Sequence, residues 1–124
     1  MTGAQAQVWY DAIVTGQDAH AGTTPPSARK DALVAAARVI ELVDRLMRAR
    51  GEDGRGTVGQ LSVIPNSRNV IPGEVRFSVE FRHPDLAEVD RLDEEFSPEA
   101  AALVEAAGLE FTLTRLFKMP AQPF

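Results

Sequence analysis

Hydrophobic and polar positions alternate most strictly between Glu74 and Arg82. Val75, Phe77, Val79 and Phe81 interleave there with Glu74, Arg76, Ser78, Glu80 and Arg82, which predicts an antiparallel strand with one buried and one wet face. Val8 to Thr15 repeats the pattern: Val8, Tyr10, Ala12 and Val14 share one side, and Trp9, Asp11 and Ile13 the other. Thr57 to Ile64 reads as a further strand, with Val58 on one face and Leu61 and Val63 on the opposite one. Leu109 to Phe117 reads as the last. Between Ser27 and Arg50 the period changes to three and four. Leu33, Ala36, Ala37, Ile40, Val43, Leu46 and Met47 form the apolar stripe of a helix there, and Gly51 to Gly56 stops it. A second helix runs from an Asp85 cap to about Ala107, with Glu88 placed for a capping box, and Gly108 ends it. Ser97-Pro98 offers a point of kink or restart inside that helix. Two loops remain, Gly16 to Pro26 and Pro65 to Gly73. In the second, Pro72-Gly73 suits a type II turn with the glycine at positive φ.

The order is β-α-β-β-α-β. It predicts an α+β, ferredoxin-like sandwich, a four-stranded antiparallel sheet with two helices on one face. Such an order names a fold shared by many functions. Composition narrows the classes. The 124 residues fit one domain, and a hydrophobic share of 44% is that of a chain with a packed core. A net charge of −5 argues against a nucleic-acid partner, which needs a basic face for phosphates. No apolar run is long enough to cross a bilayer, and the start at Met1-Thr2-Gly3-Ala4-Gln5 lacks the pattern of a signal peptide. With no cysteine, thiolate metal sites and disulfides are excluded, and a reducing cytoplasm is compatible. The Pro-containing end, Met119 to Phe124, reads as a connector to further chain.

Three places carry candidate chemistry. His20 lies in a loop of small residues, where a neutral imidazole can donate to an oxyanion or ligate a metal. From spacing alone, a solvated loop histidine is the favoured account of it. Asn66 and Asn69 lie in the nine-residue loop Pro65 to Gly73, long for a hairpin connection. Their amides can fix a carboxylate, or they can serve the turn alone. Arg82 offers a planar fork for a carboxylate, against the alternative of a surface ion pair with Glu80 or Glu74. Asp18-x-His20 and His83-x-Asp85 have the look of metal pairs but gather too few ligands, and His83-Pro84-Asp85 is better read as strand exit and helix cap. Arg82 stands at the far end of its strand from Gly73, ~30 Å away in extended chain, so one copy of the domain cannot close a compact site around all three.

Taken together, these stretches resemble one family. Gly16-Gln17-Asp18-Ala19-His20-Ala21-Gly22-Thr23-Thr24-Pro25 with Arg29-Lys30-Asp31-Ala32 is similar to the lid-domain signature of the zinc-type hydantoinase/carbamoylase amidases. Thr57-Val58-Gly59, Pro65 to Phe77 and Glu80-Phe81-Arg82-His83-Pro84-Asp85 resemble its second signature. The family includes N-carbamoyl-L-amino-acid hydrolases, β-ureidopropionases and allantoate amidohydrolases, within the dimeric metallopeptidase and aminoacylase superfamily. The resemblance implies that residues 1–124 form a single lid and dimerisation domain of a larger two-domain enzyme. No metal ligand is assigned in this chain. Two divalent ions, zinc or manganese, are expected in the catalytic domain outside it. The resemblance further implies that His20 polarises the carbamoyl oxygen and stabilises the tetrahedral intermediate in the partner subunit's site. It implies that Asn69 and Arg82 hold the substrate carboxylate. Supply by a second subunit, of Asn69 or of Arg82, removes the geometric difficulty.

The expected protein is thus a cytoplasmic homodimeric hydrolase of carbamoyl or ureido C–N bonds acting on a small carboxylate, with no nucleic-acid or membrane partner, and this chain alone is expected to be inactive. Two rivals remain: the same domain of a related metallo-aminoacylase or peptidase, and a stand-alone ferredoxin-like dimeric module that binds an effector.

Overall fold

A computed structural model describes residues 5–121. The Met1–Ala4 part of the start and the Gln122–Phe124 part of the connector lie outside them. Strand β1 (Ala6–Thr15) leads through the two-residue strand β2 (Ala19–His20) and a single 3-10 turn at Pro26–Ala28 to helix α1 (Ala32–Arg48). Short strands β3 (Arg55–Thr57), β4 (Leu61–Ile64) and β5 (Val70–Ile71) precede β6 (Glu74–His83), helix α2 (Leu86–Ala106) and β7 (Glu110–Met119). The main sheet runs β3/β4, β6, β1, β7, and every pairing is antiparallel. This is the expected ferredoxin-like sandwich.

The core lies between sheet and helices, because the alternation of β1 and β6 commits one face to apolar side chains. Val8, Tyr10, Ala12 and Val14 on β1 and Val75, Phe77, Val79 and Phe81 on β6 are buried. Each large side chain so buried contributes about 1.5–3 kcal/mol. Tyr10, Phe81 and Phe96 of α2 meet as an aromatic cluster, the Phe81 and Phe96 rings 5.3 Å apart and nearly perpendicular. Residues of β1 and β6 on the opposite face, such as Trp9, Asp11, Arg76 and Arg82, are left uncovered by the helices.

Several expected details are corrected. Helix α1 begins at Ala32, not Ser27: Asp31 caps it by accepting from the backbone N–H groups of Leu33 and Val34, while Pro26–Ala28 makes a separate turn. Its buried stripe is Ala32, Ala35, Ala36, Val39, Leu42, Val43 and Leu46, displaced by one position from the expected one. Ala32 to Ala37 is apolar throughout, so periodicity there does not distinguish adjacent stripes. The expected strand Thr57–Ile64 is broken in two. Thr57 pairs with Glu80 but Leu61 with Phe77, so one extra residue on the edge forms a bulge around Gly59. The bulge reverses the alternation, and Val58 and Val63 both pack against the core rather than on opposite faces. Gly73 has no positive φ; it is needed because a Cβ there would lie 2.5 Å from Asp18 Oδ1 and 2.6 Å from Asp18 N. The capping box is half formed. Asp85 accepts from Ala87 N–H, but Glu88 turns to Arg50 and Arg91, and the Asp85 N–H donates to His83 Nδ1 instead. Helix α2 runs unbroken through Pro98; the carbonyl left without its N–H is that of the exposed Glu94, where water can take it.

Candidate functional site

The two candidate loops are stitched into one structure at the end of the sheet where β1 stops. Gly16 N–H donates to the Gly73 carbonyl (2.8 Å), and Gln17 N–H to the Lys30 carbonyl (3.0 Å). The chain then forms β2 against β5, Ala19 opposite Ile71 and His20 opposite Val70. Ala21 N–H donates to the Asn69 carbonyl at 2.9 Å, and Ala32 N–H to the Pro72 carbonyl at 2.9 Å. His20 and Asn69 are therefore neighbours on one two-stranded clasp, and both side chains are exposed.

The imidazole is oriented by its own loop. Gly22 N–H donates to His20 Nδ1 at 3.0 Å, so Nδ1 presents a lone pair and the proton of the neutral ring sits on Nε2. An outward Nε2–H is the donor that a developing oxyanion requires. Asn69 Oδ1 accepts from Ser67 Oγ at 3.3 Å, which leaves the amide's NH2 side for a ligand. Each of these donors suits an anion or a polarised carbonyl.

Arg82 is elsewhere. The register puts it opposite Gln7, while Glu74, beside the clasp, stands opposite Thr15. The length of the sheet, about 27 Å at ~3.4 Å per residue, separates Arg82 from the clasp. Within one chain the structure joins His20 to Asn69 and excludes Arg82. Glu80 accepts from Arg82 Nε (2.9 Å) and Nη2 (3.3 Å), and the guanidinium lies over the Trp9 ring, 5.7 Å from its centroid. Trp9 in turn stacks on Phe117 at 5.0 Å. The surface ion pair weighed from the sequence thus forms, yet it occupies only one edge of the fork. The edge made by Nη1 and the second Nη2 proton stays available to a carboxylate.

A second polar cluster, between α2 and β7, has no signature in the residue pattern. Tyr10 donates to Asp93, and Lys118 (2.8 Å) and Arg115 also pair with that carboxylate. Burial first, then the hydrogen bond to Asp93, pushes the Tyr10 hydroxyl far above the ordinary tyrosine range. For Asp93 burial acts upward, but the hydrogen bonds from Lys118 and Tyr10 outweigh it and hold the carboxyl below its usual value. This cluster ties α2 to the sheet edge and lies apart from the clasp. Among the described residues no three His, Asp or Glu side chains gather into a cation cage, and no helix is long and apolar enough to cross a membrane.

Comparison with known proteins adds the following. A family model described as the peptidase dimerisation domain matches residues 2–106. The N-carbamoyl-L-amino-acid amidohydrolase of Rhizobium meliloti is 38% identical over 109 residues, which is 88% of this chain and 26% of that protein. The allantoate amidohydrolase of Bacillus subtilis is 34% identical over 112 residues, 89% of this chain and 26% of that one. A solved amidase of the hydantoinase/carbamoylase family from Burkholderia multivorans superposes with a TM-score of 0.95 at 46% identity, covering 99% of this chain and 30% of that structure. The chain spans about a quarter of the length of these curated relatives.

Proposed function

This chain belongs to the peptidase dimerisation domain family, and from that membership we propose that it is the dimerisation and substrate-closing part of a longer metal-dependent hydrolase of carbamoyl or ureido C–N bonds. The observation that supports the reading is the clasp: it ties together the loops that carry the exposed His20, with its Nε2–H left to donate, and the exposed Asn69. His20 donates to the oxygen of the carbamoyl group as its carbon becomes tetrahedral, and Asn69 positions the substrate. Arg82 takes the substrate carboxylate end-on. Because the sheet holds Arg82 far from the clasp, the clasp of one subunit and Arg82 of the other complete each site of a homodimer. The divalent ions that would activate water are assigned, through the family resemblance, to the catalytic domain of the longer enzyme. A cytoplasmic place suits a chain without cysteine.

Self-association is supported by two sheet edges that carry exposed apolar side chains, Leu61 and Ile64 on β4 and Leu116 and Phe117 on β7. Light scattering of this chain is expected to give twice its 13.5 kDa mass. The substrate class is tested with a full-length enzyme carrying the domain, assayed on N-carbamoyl-L-amino acids, allantoate, N-acetyl amino acids and dipeptides. Hydrolysis of the first two classes, with release of carbon dioxide and ammonia, is expected. Turnover confined to N-acetyl amino acids or dipeptides would assign the domain to an aminoacylase or peptidase instead.

A further inference from the structure

We propose that Arg29 and Gly22 are positioning residues for His20, together fixing its imidazole as the tautomer with Nε2–H outward. Arg29 reaches back across the turn that follows His20. Its Nη2 donates to the Ala21 carbonyl at 2.9 Å and its Nε to the Thr24 carbonyl at 3.1 Å. A planar guanidinium can span two carbonyls in this way; an ammonium, a point charge, cannot hold both in fixed geometry. Thr24 closes the same turn by donating its hydroxyl to the His20 carbonyl at 2.7 Å. Inside the braced turn, the Gly22 N–H is aimed at Nδ1. Gly22 also has to lack a side chain, because a Cβ would stand 3.1 Å from His20 Cε1 and 3.4 Å from Nδ1, against the ring. Releasing Arg29 frees the turn, the Gly22 N–H loses its aim, and the proton redistributes between the two ring nitrogens. The catalytic consequence rests on the reading of His20 as the oxyanion donor; the tautomer itself does not.

The first test is nitrogen-15 NMR of the chain at about pH 9, above the ordinary imidazole range. His83 is the only other histidine, and its Nδ1 accepts from the Asp85 N–H at 3.0 Å, so it serves as an internal reference and a check on folding. In the wild-type chain both histidines are expected to show an unprotonated Nδ1 and a protonated Nε2. In Arg29→Ala, and independently in Gly22→Ala, the two His20 shifts are expected to move toward each other while those of His83 stay. His20 shifts unchanged in both variants, or already averaged in the wild type, would overturn the proposal. Kinetics of a full-length enzyme carrying the domain then separate this inference from the function reading. Arg29→Ala is expected to lower kcat about 10–100-fold, the order of effect of a misplaced catalytic group, with KM nearly unchanged. It is expected to slow a His20→Ala enzyme no further. A His20→Ala enzyme with full turnover would refute the role of His20 and leave the tautomer result standing. An Arg29→Ala effect of equal size in the His20→Ala background would refute positioning and leave the role of His20 standing.

Discussion

Ala21 donates its backbone N–H to the Asn69 carbonyl at 2.9 Å, and this bond, with the pairing of His20 opposite Val70, makes one body of two loops distant in sequence. Residues on separate loops drift independently. Residues on a shared two-stranded clasp keep their spacing, which is what a pair of donors needs to meet one substrate. The clasp is anchored to the sheet at Gly16 and Gly73 and to the start of α1 at Ala32.

That anchoring predicts an asymmetry between two glycines. A Cβ at Gly16 would fall 2.1 Å from the Lys30 carbonyl oxygen and 2.9 Å from Leu109 Cδ2, whereas nothing lies within 4 Å of one at Gly59. Gly16→Ala is expected to cost about 1–3 kcal/mol, as overpacking does. Gly59→Ala is expected to stay within about 0.5 kcal/mol of wild type. Urea unfolding of the three chains compares them; equal midpoints would remove the close approach at Gly16 from the account.

The Tyr10–Asp93 contact predicts a pH response at both ends. A tyrosine whose folded-state pKa is raised contributes stability fully present below its ordinary value of about 10 and lost only as pH climbs through the folded-state value. Tyr10 is the only tyrosine, so ultraviolet absorbance reads it alone. No tyrosinate is expected in the folded chain at about pH 11, while the urea-unfolded chain ionises near pH 10. Asp93 is depressed, so its contribution is present above the ordinary carboxylate range and fades as pH falls below it. Asp93→Asn is expected to flatten the acid limb of the stability profile and to lower stability at neutral pH. Tyrosinate forming near pH 10 in the folded chain would contradict the first half, and an unaltered acid limb in Asp93→Asn the second.

For Arg82 the prediction concerns shape rather than charge. Lysine keeps the charge but loses the fork, the bidentate contact with Glu80 and the stack on Trp9. In a full-length enzyme Arg82→Lys is expected to raise KM for carboxylate substrates about tenfold or more, the ~1.5–3 kcal/mol of a charge-assisted hydrogen bond. Steady-state kinetics checks this, and an unchanged KM would show that Arg82 does not hold the carboxylate.

The main sheet was legible because its alternation is unambiguous: β1 and β6 each keep one apolar face from end to end, and that face is buried. Helix α2 was legible for the same reason, with Val89, Leu92, Phe96, Ala100 and Val104 at helical spacing and Gly108 at φ +78° beyond its end. The edge strand was misread because a bulge at Gly59 reverses the alternation, and a single inserted residue leaves no mark on composition. The start of α1 was misread because Ser27 and Asp31 are both good caps, and the choice between them is made by tertiary bonds, Gln17 N–H to the Lys30 carbonyl and Ala32 N–H to the Pro72 carbonyl. His20, Asn69 and Arg82 could be picked out by residue type and motif. The distance of Arg82 from Gly73 followed from the length of β6, but the pairing that joins the His20 loop to the Asn69 loop could not be read, since strands of two residues, such as β2 and β5, carry no periodicity.

The partition of the site between two subunits is the central claim, and subunit mixing tests it most directly. His20→Ala and Arg82→Ala forms of a full-length enzyme are each expected to be nearly inactive. When the two are unfolded, mixed in equal amounts and refolded, half the dimers are mixed, and each of those has one site with both mutations and one with neither. Activity is expected to recover to about a quarter of wild type. His20→Ala mixed with Asn69→Ala is expected to recover nothing, because both residues come from the same clasp and each site keeps one lesion. Recovery in the second mixture and none in the first would contradict the account.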